Sequence, residues 1–240
     1  MPSVTHSLVF HAQKITTTEN GDFYVEILSR PGSPADRGRT NMATFFHGLA
    51  PLERFAIFDH QNQIADELFD QSGIRSSINV DNALVELPEF RNKVLGSIKN
   101  TRAPTTYEFT EVYPMPPPEL MNPLFRVLRD HGKRSALDDF GTGFNGMSLF
   151  VDFDFDVVKI DRSLIVDIDT RPAKLKVLAL IGQMIETLGK EHVVEGVETQ
   201  SQSDKLHGCG FHTFQGYLLH RPEAIERFFE MRCQPVEALP

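Results

Sequence analysis

Cysteine is scarce: the chain of 240 residues has two, Cys209 and Cys233. Two thiols without metal-ligand spacing exclude a disulfide framework and a thiolate metal site. They point to a reduced, cytoplasmic protein. No run of eighteen apolar residues occurs, so no membrane span is expected. No export signal is expected either, because His11, Gln13 and Lys14 interrupt the early apolar stretch 6-HSLVFHAQKI-15. Internal repeats and low-complexity segments are lacking, and no domain boundary stands out. Positive charge is in deficit, with 24 Lys and Arg against 33 Asp and Glu, a formal net charge of -9. That balance argues against a nucleic-acid polymer or an anionic membrane as partner. It leaves room for a small anionic ligand, because divalent cations reverse the local sign.

What is present is a core. Hydrophobic residues make up 40% of the chain and charged residues 24%, the balance of a soluble globular protein. Eight short runs rich in β-branched and aromatic residues read as strands: 8–15, 23–30, 76–80, 106–112, 134–140, 156–161, 192–198 and 211–217. Helical patterns fall between most of them, as at 54–69, 119–132 and 174–189. The last has apolar residues at 175, 177, 178, 181, 184, 185 and 188 and stops at Gly189. Strand-helix alternation predicts a mainly parallel sheet, and eight strands in this length predict an α/β fold, a (β/α)8 TIM-like barrel. Only 16-TTTENGD-22 separates the first two strands. That is too short for a crossover helix, so one of the pair should run antiparallel near the N-terminus. The loop 31–39, rich in Gly and Pro, should be exposed, and 114–123 should not become helical before about residue 118.

The stretch 136-ALDDFGTGFNGMSLF-150 places two carboxylates side by side. Adjacent carboxylates repel and resist burial unless a cation lies between them or one stays protonated. Taken alone, the pair fits a solvated loop. Its neighbours change the weighting. In a parallel barrel the strand C-termini share one face. At or near those ends lie Glu26, Asn79, Glu108 with Glu111, Asp138 with Asp139, Lys159 with Asp161, Glu195 with Glu198, and Gln215. Alternation puts Glu108 and Thr110 on one face, Lys159 and Asp161 on one face, and Glu195 beside Val197. At least five carboxylates and an amide oxygen could not all stay ionised without cations. Hard oxygen donors of this kind select Mg2+ or Mn2+. One aspartate can bridge two metals while its neighbour holds the second, an arrangement suited to phosphodiester hydrolysis. Lys159 could orient or deprotonate a water, or balance charge. Taken singly, each acidic residue reads more readily as a surface charge or helix cap, Asn79 about equally as a turn cap, and Lys159 with Asp161 as an ordinary ion pair.

These residues resemble the EAL-domain phosphodiesterases that cleave cyclic di-GMP. The run 26-EILSR-30 resembles the family's Glu-Ala-Leu-x-Arg signature. The runs 78-INV-80, 108-EFTE-111, 138-DDFGTG-143, 158-VKIDR-162, 195-EGVET-199 and 215-QGYLLHRP-222 are similar to its later motifs, in family order. Six fixed letters such as DDFGTG arise by chance at a given position roughly once in 10⁷–10⁸. The resemblance implies one EAL-type domain over residues 1–240, with a core of about 8–222, and a barrel with an antiparallel strand. It implies Glu26, Asn79, Glu108 and Asp138 as ligands of one divalent ion, and Asp138, Asp139 and Glu195 as ligands of a second. Lys159 resembles the residue that contacts the nucleophilic water, and Gln215 a water-positioning group. Arg30 resembles a phosphate contact, Leu28 part of the substrate floor, and Asp161 a further substrate contact. Glu111 resembles the glutamate that anchors the loop after Asp138-Asp139, Glu198 a support for Glu195, and Gln13 the glutamine of the first strand. A homodimer is expected on the same ground.

Departures from the family pattern are Ile27 for alanine, Asp81 for a small hydroxyl residue, Val194 for alanine, and 144-FNGM-147 after Gly143. Ile27 should point away from the metals. Gly146 should loosen the loop that orders them. The expected function is metal-dependent hydrolysis of cyclic di-GMP to linear 5′-pGpG. The alternatives are an inactive cyclic di-GMP receptor or protein-binding module, and a phosphodiesterase for another nucleotide.

Overall fold

The β-branched runs form strands where the sequence places them. A computed structural model describes residues 8–32, 45–46, 48–110, 115–142 and 148–231. Its strands are β1 (Leu8–Thr17), β2 (Phe23–Pro31), β3 (Ser76–Val80), β4 (Thr105–Thr110), β5 (Arg134–Phe140), β6 (Val157–Ile160), β7 (Glu191–Val194), β8 (Thr213–Gln215) and β9 (Glu223–Ala224). They pair in the order β2-β3-β4-β5-β6-β7-β8-β1-β9, and a further β1–β2 pairing closes the first eight into a barrel. Neighbours from β2 to β8 run parallel. β1 is antiparallel to β2, β8 and β9, as the short connection after it requires. The two-residue β9 has no counterpart in the sequence reading; it is too short to carry a period.

The helices are α1 (Pro51–Ser72), α2 (Asn82–Glu86), α3 (Pro88–Asn100), α4 (Pro118–Asp130), α5 (Leu149–Asp152), α6 (Arg162–Ile165), α7 (Pro172–Thr187), α8 (Gln200–His207) and α9 (Glu226–Phe229). α1 outruns its apolar pattern at both ends. Pro51 tolerates the first turn, and Gly73, left-handed at φ 73°, donates its N–H to Phe69 O and ends the helix. α4 starts at Pro118, after the proline run. No helix among the described residues is long and apolar enough to cross a membrane.

Alternation along the strands builds two apolar layers. The larger packs sheet against helices and contains Ile27, Ile78, Phe109, Leu137, Val158 and Phe125. The smaller holds Ile15, Ala136, Val157 and Val193, with Tyr24 against them. Each of these five sits two residues from a polar residue of the barrel mouth: Gln13, Asp138, Lys159, Glu195 and Glu26. Two residues along a strand returns to the same face. The small layer is therefore the dry floor beneath the polar groups.

Aromatic rings lock β4 to α4. Phe125 is fully buried, with ring centroids 4.7 Å from Phe155 and 5.4 Å from Phe109. Replacing it by alanine removes both contacts and leaves a cavity. Phe125→Ala is expected to lose about 3–5 kcal/mol of stability in urea unfolding. A loss under about 1 kcal/mol would mean that the cluster collapses freely around the gap.

Candidate active site

Strand ends converge on the ammonium of Lys159. This side chain is 1% exposed. Its Nζ donates to Glu108 Oε2 at 2.7 Å and lies 2.7 Å from Glu195 Oε1, 2.9 Å from Asp138 Oδ1 and 3.6 Å from Glu26 Oε2. The sheet register explains the convergence. Asn79 sits beside Glu108, Gln13 opposite Glu26 and Ile15 opposite Gln215, so polar residues from separate strands reach one level.

Neutral donors complete the group. Asn79 Nδ2 donates to Glu26 Oε1 at 2.9 Å, and Gln215 Nε2 to Glu26 Oε2 at 2.7 Å. Gln215 also reaches Gln13 Oε1 at 3.3 Å, and Gln13 Nε2 donates to His220 O at 2.9 Å. Asn79 stays exposed at the rim, while Gln13 and Gln215 are buried.

Asp139 needs a backbone device. Its φ is 57°, in the left-handed region that short polar side chains tolerate best after glycine. The β5–β6 register shifts between Leu137 and Phe140 at this point. Strict alternation would send Asp138 and Asp139 to opposite faces. The left-handed residue brings both to the mouth, and Thr110 Oγ1 holds Asp139 Oδ2 at 2.9 Å.

The electrostatics follow from burial. Burial drives Glu108 well above the ordinary carboxylate range, Lys159 opposes it, and Glu26 and Asp138 add to the rise. Glu195 is pushed up to about 8 by burial, against Lys159. Asp139 rises to about 6, through burial and then Asp138, with the Thr110 hydrogen bond opposing. Burial also acts on Glu26, but Lys159, Gln215 and Asn79 outweigh it and hold that group below its usual value. Burial would neutralise Lys159, yet Asp138, Glu108, Glu195 and Glu26 hold its ammonium well above the ordinary lysine range. The site thus carries more carboxylates than one ammonium satisfies.

A hard divalent cation fits this donor set. Glu108 Oε1, Asp138 Oδ1 and Gln215 Oε1 are buried and accept no well-aligned hydrogen bond. Asp138, Asp139 and Glu195 each offer an oxygen within 4.8 Å of the others. All the donors are oxygens, which favours a hard divalent cation over softer ions.

A cavity of about 290 Å3 opens above these groups. Leu28, Arg30, Asp161 and Glu198 line it, together with Glu26, Asp138, Asp139, Lys159, Glu195, Gln13 and Gln215. Arg30 Nη1 donates to Ser29 O at 2.9 Å. Asp161 also caps α6 through Ser163 N at 2.8 Å. Ile27 is fully buried in the larger apolar layer, away from the mouth as expected. One expectation of shared faces fails. Val197 is buried in the larger layer while Glu195 faces the cavity. β7 ends at Val194, and Gly196, at φ 67° and packed against Arg162 Cβ, breaks the alternation there. Glu111 and the loop 144–147 lie outside the described residues.

Three features escaped the sequence. Thr110 holds Asp139, Arg162 Nη2 lies 3.4 Å from Glu198 Oε1, and Tyr217 lines the rim beneath the Arg221 guanidinium at 4.3 Å. Asp81, the residue departing from a small hydroxyl, caps α2 through Ala83 N and pairs with Arg54 at 2.5 Å.

A sequence profile described as EAL domain matches residues 6–222. The probable cyclic di-GMP phosphodiesterase PdeG of Escherichia coli (strain K12) is 32% identical over 164 residues, covering 67% of this chain and 32% of that protein. The Klebsiella pneumoniae BlrP1 manganese/cy-diGMP complex superposes with a TM-score of 0.74 at 27% identity, covering 91% of this chain and 57% of that one. An EAL domain protein from Listeria monocytogenes EGD-e shares the fold at a TM-score of 0.81 and 22% identity, covering 93% and 92%. The chain spans about a third of the length of the curated relatives it matches.

The Thr110 hydrogen bond lowers the Asp139 pKa, so its loss should raise it. In Thr110→Val with EDTA present, the Asp139 carboxyl is expected to titrate above the wild-type value of about 6, read by carbon-13 NMR. An unchanged midpoint would show that Thr110 does not hold the carboxylate.

Proposed function

The chain belongs to the EAL domain family, and we propose on that premise that it is a metal-dependent phosphodiesterase opening cyclic di-GMP to linear 5′-pGpG. One observation carries the reading. Glu26, Glu108, Asp138 and Glu195 surround the Lys159 ammonium, Asn79 donates to Glu26, and Asp139 offers an oxygen beside those of Asp138 and Glu195. A loss of catalysis by ligand replacement is the usual basis of a receptor, and these residues give it no support.

Glu26, Asn79, Glu108 and Asp138 would hold one Mg2+ or Mn2+, and Asp138, Asp139 and Glu195 the second. When bound, such ions supply Lewis acidity to a phosphate and lower the pKa of water. Lys159 points its N–H groups at the level of the carboxylates, where it can orient the attacking water. Gln215 fixes Glu26 through its amide N–H and keeps its carbonyl oxygen free to accept from that water. Arg30 would neutralise the phosphate through a charge-assisted contact, with Leu28 as floor and Asp161 facing the same space. Glu111 would anchor the loop after β5, and Glu198 would support the Glu195 side of the cavity. The water oxygen forms the new bond to phosphorus, the P–O3′ bond breaks, and the freed 3′ oxygen takes a proton. A linear dinucleotide with a 5′ phosphate remains. A homodimer and a cytoplasmic location belong to the same reading, as does one catalytic unit over about residues 8–222.

Incubation with cyclic di-GMP and Mg2+ or Mn2+ is expected to yield linear product by chromatography, and EDTA is expected to stop it. Asp139→Asn should reduce turnover at least about 100-fold, the scale on which one electrostatic stabiliser acts. Tight binding of cyclic di-GMP without product would replace the enzyme by a receptor.

A further inference from the structure

Four carboxylates surround one ammonium, but an ammonium has three N–H donors. Glu108, Glu195, Asp138 and Glu26 all lie within 3.6 Å of Lys159 Nζ. These groups are also the oxygen donors that suit a divalent cation. Any such cation must share carboxylates already turned to the ammonium, and must do so a few ångströms from a like charge. Lys159 has little freedom to withdraw. It rises from β6 through the closed barrel, over the layer of Val157, Val193 and Ala136, and is 1% exposed.

We infer that Lys159 is the internal counter-cation of the metal site. It competes with the divalent ions for the carboxylates and sets metal affinity below what the oxygen donors alone would give. This inference rests on the metal-dependent reading above. Its consequence is regulatory: turnover would follow the free concentration of Mg2+ or Mn2+ rather than run on permanently held ions.

Two opposing effects decide the sign. Removing the ammonium lifts the competition, which tightens metal binding. It also removes a group that gathers the carboxylates, which loosens metal binding. Competition wins here because three of the four carboxylates, all but Glu195, have other supports. Glu26 is held by Asn79 and Gln215, Asp139 by Thr110, and the strand register fixes where Glu108 and Asp138 leave the sheet.

The test is calorimetric titration of Mn2+ into wild type, Lys159→Met, Lys159→Gln and Lys159→Arg. The two neutral variants are expected to bind Mn2+ at least about tenfold more tightly than wild type. Lys159→Arg should stay close to wild type. Equal or weaker binding in both neutral variants would overturn the inference, and so would an absence of Mn2+ binding in all four proteins. Should a neutral variant prove too unstable for titration, thermal unfolding decides. A larger rise in Tm on adding Mn2+ than in wild type supports competition; an equal or smaller rise overturns it. Cyclic di-GMP turnover by wild type is measured separately. Failure there sinks the phosphodiesterase reading, while the affinity comparison stands or falls by itself.

Discussion

The contact between the Lys159 ammonium and its four carboxylates is the constraint on which the mouth of the barrel depends. Without a cation, Glu26, Glu108, Asp138 and Glu195 would be repelling charges in a space that water scarcely enters. One ammonium makes their burial tolerable but leaves buried oxygens without aligned donors. That remainder of negative charge is what would draw divalent ions to the site. Burial lifts Glu108 and Glu195 in pKa against the ammonium, while Lys159 and two amide donors of its own outweigh burial at Glu26, which falls.

The backbone serves this arrangement at a few points. A closed sheet aligns the strand ends at one level, and a dry floor of Ile15, Tyr24, Ala136, Val157 and Val193 fixes each polar residue from two positions away. Regular strands alone would not suffice. Asp139 takes a left-handed φ, which puts adjacent carboxylates on one side. Gly216 lies so close to the Val197 backbone that a side chain there would push the two segments apart, and Gln215 precedes it. These positions deviate from regular structure where the chemistry is, which is the usual place for such deviations.

Most of the barrel was legible because its signals are local. β3 and β5 coincide with their β-branched runs, and α7 falls two residues earlier than its apolar period at both ends. The run 192–198 overshoots β7 because Gly196 turns a segment whose composition still looks like a strand. β8 shrinks to Thr213–Gln215 for a similar reason, as Gly216 must meet Val197. The four- and five-residue helices α2, α5, α6 and α9 are shorter than the span over which a period can be recognised. In the site, acidic residues at strand ends were legible because a parallel barrel gathers those ends. The Thr110–Asp139 and Arg162–Glu198 contacts were not, since each joins residues from separate elements and neither partner is unusual for its own segment.

In the reading proposed for the site, these oxygens would hold two divalent ions beside a charged lysine. Anomalous diffraction from crystals grown with Mn2+ tests it most directly. The account predicts two peaks in the barrel mouth, one among Glu26, Asn79, Glu108 and Asp138 and one among Asp138, Asp139 and Glu195, with Lys159 still turned toward the carboxylates. No peak there, or one ion held away from Asp138, would contradict it.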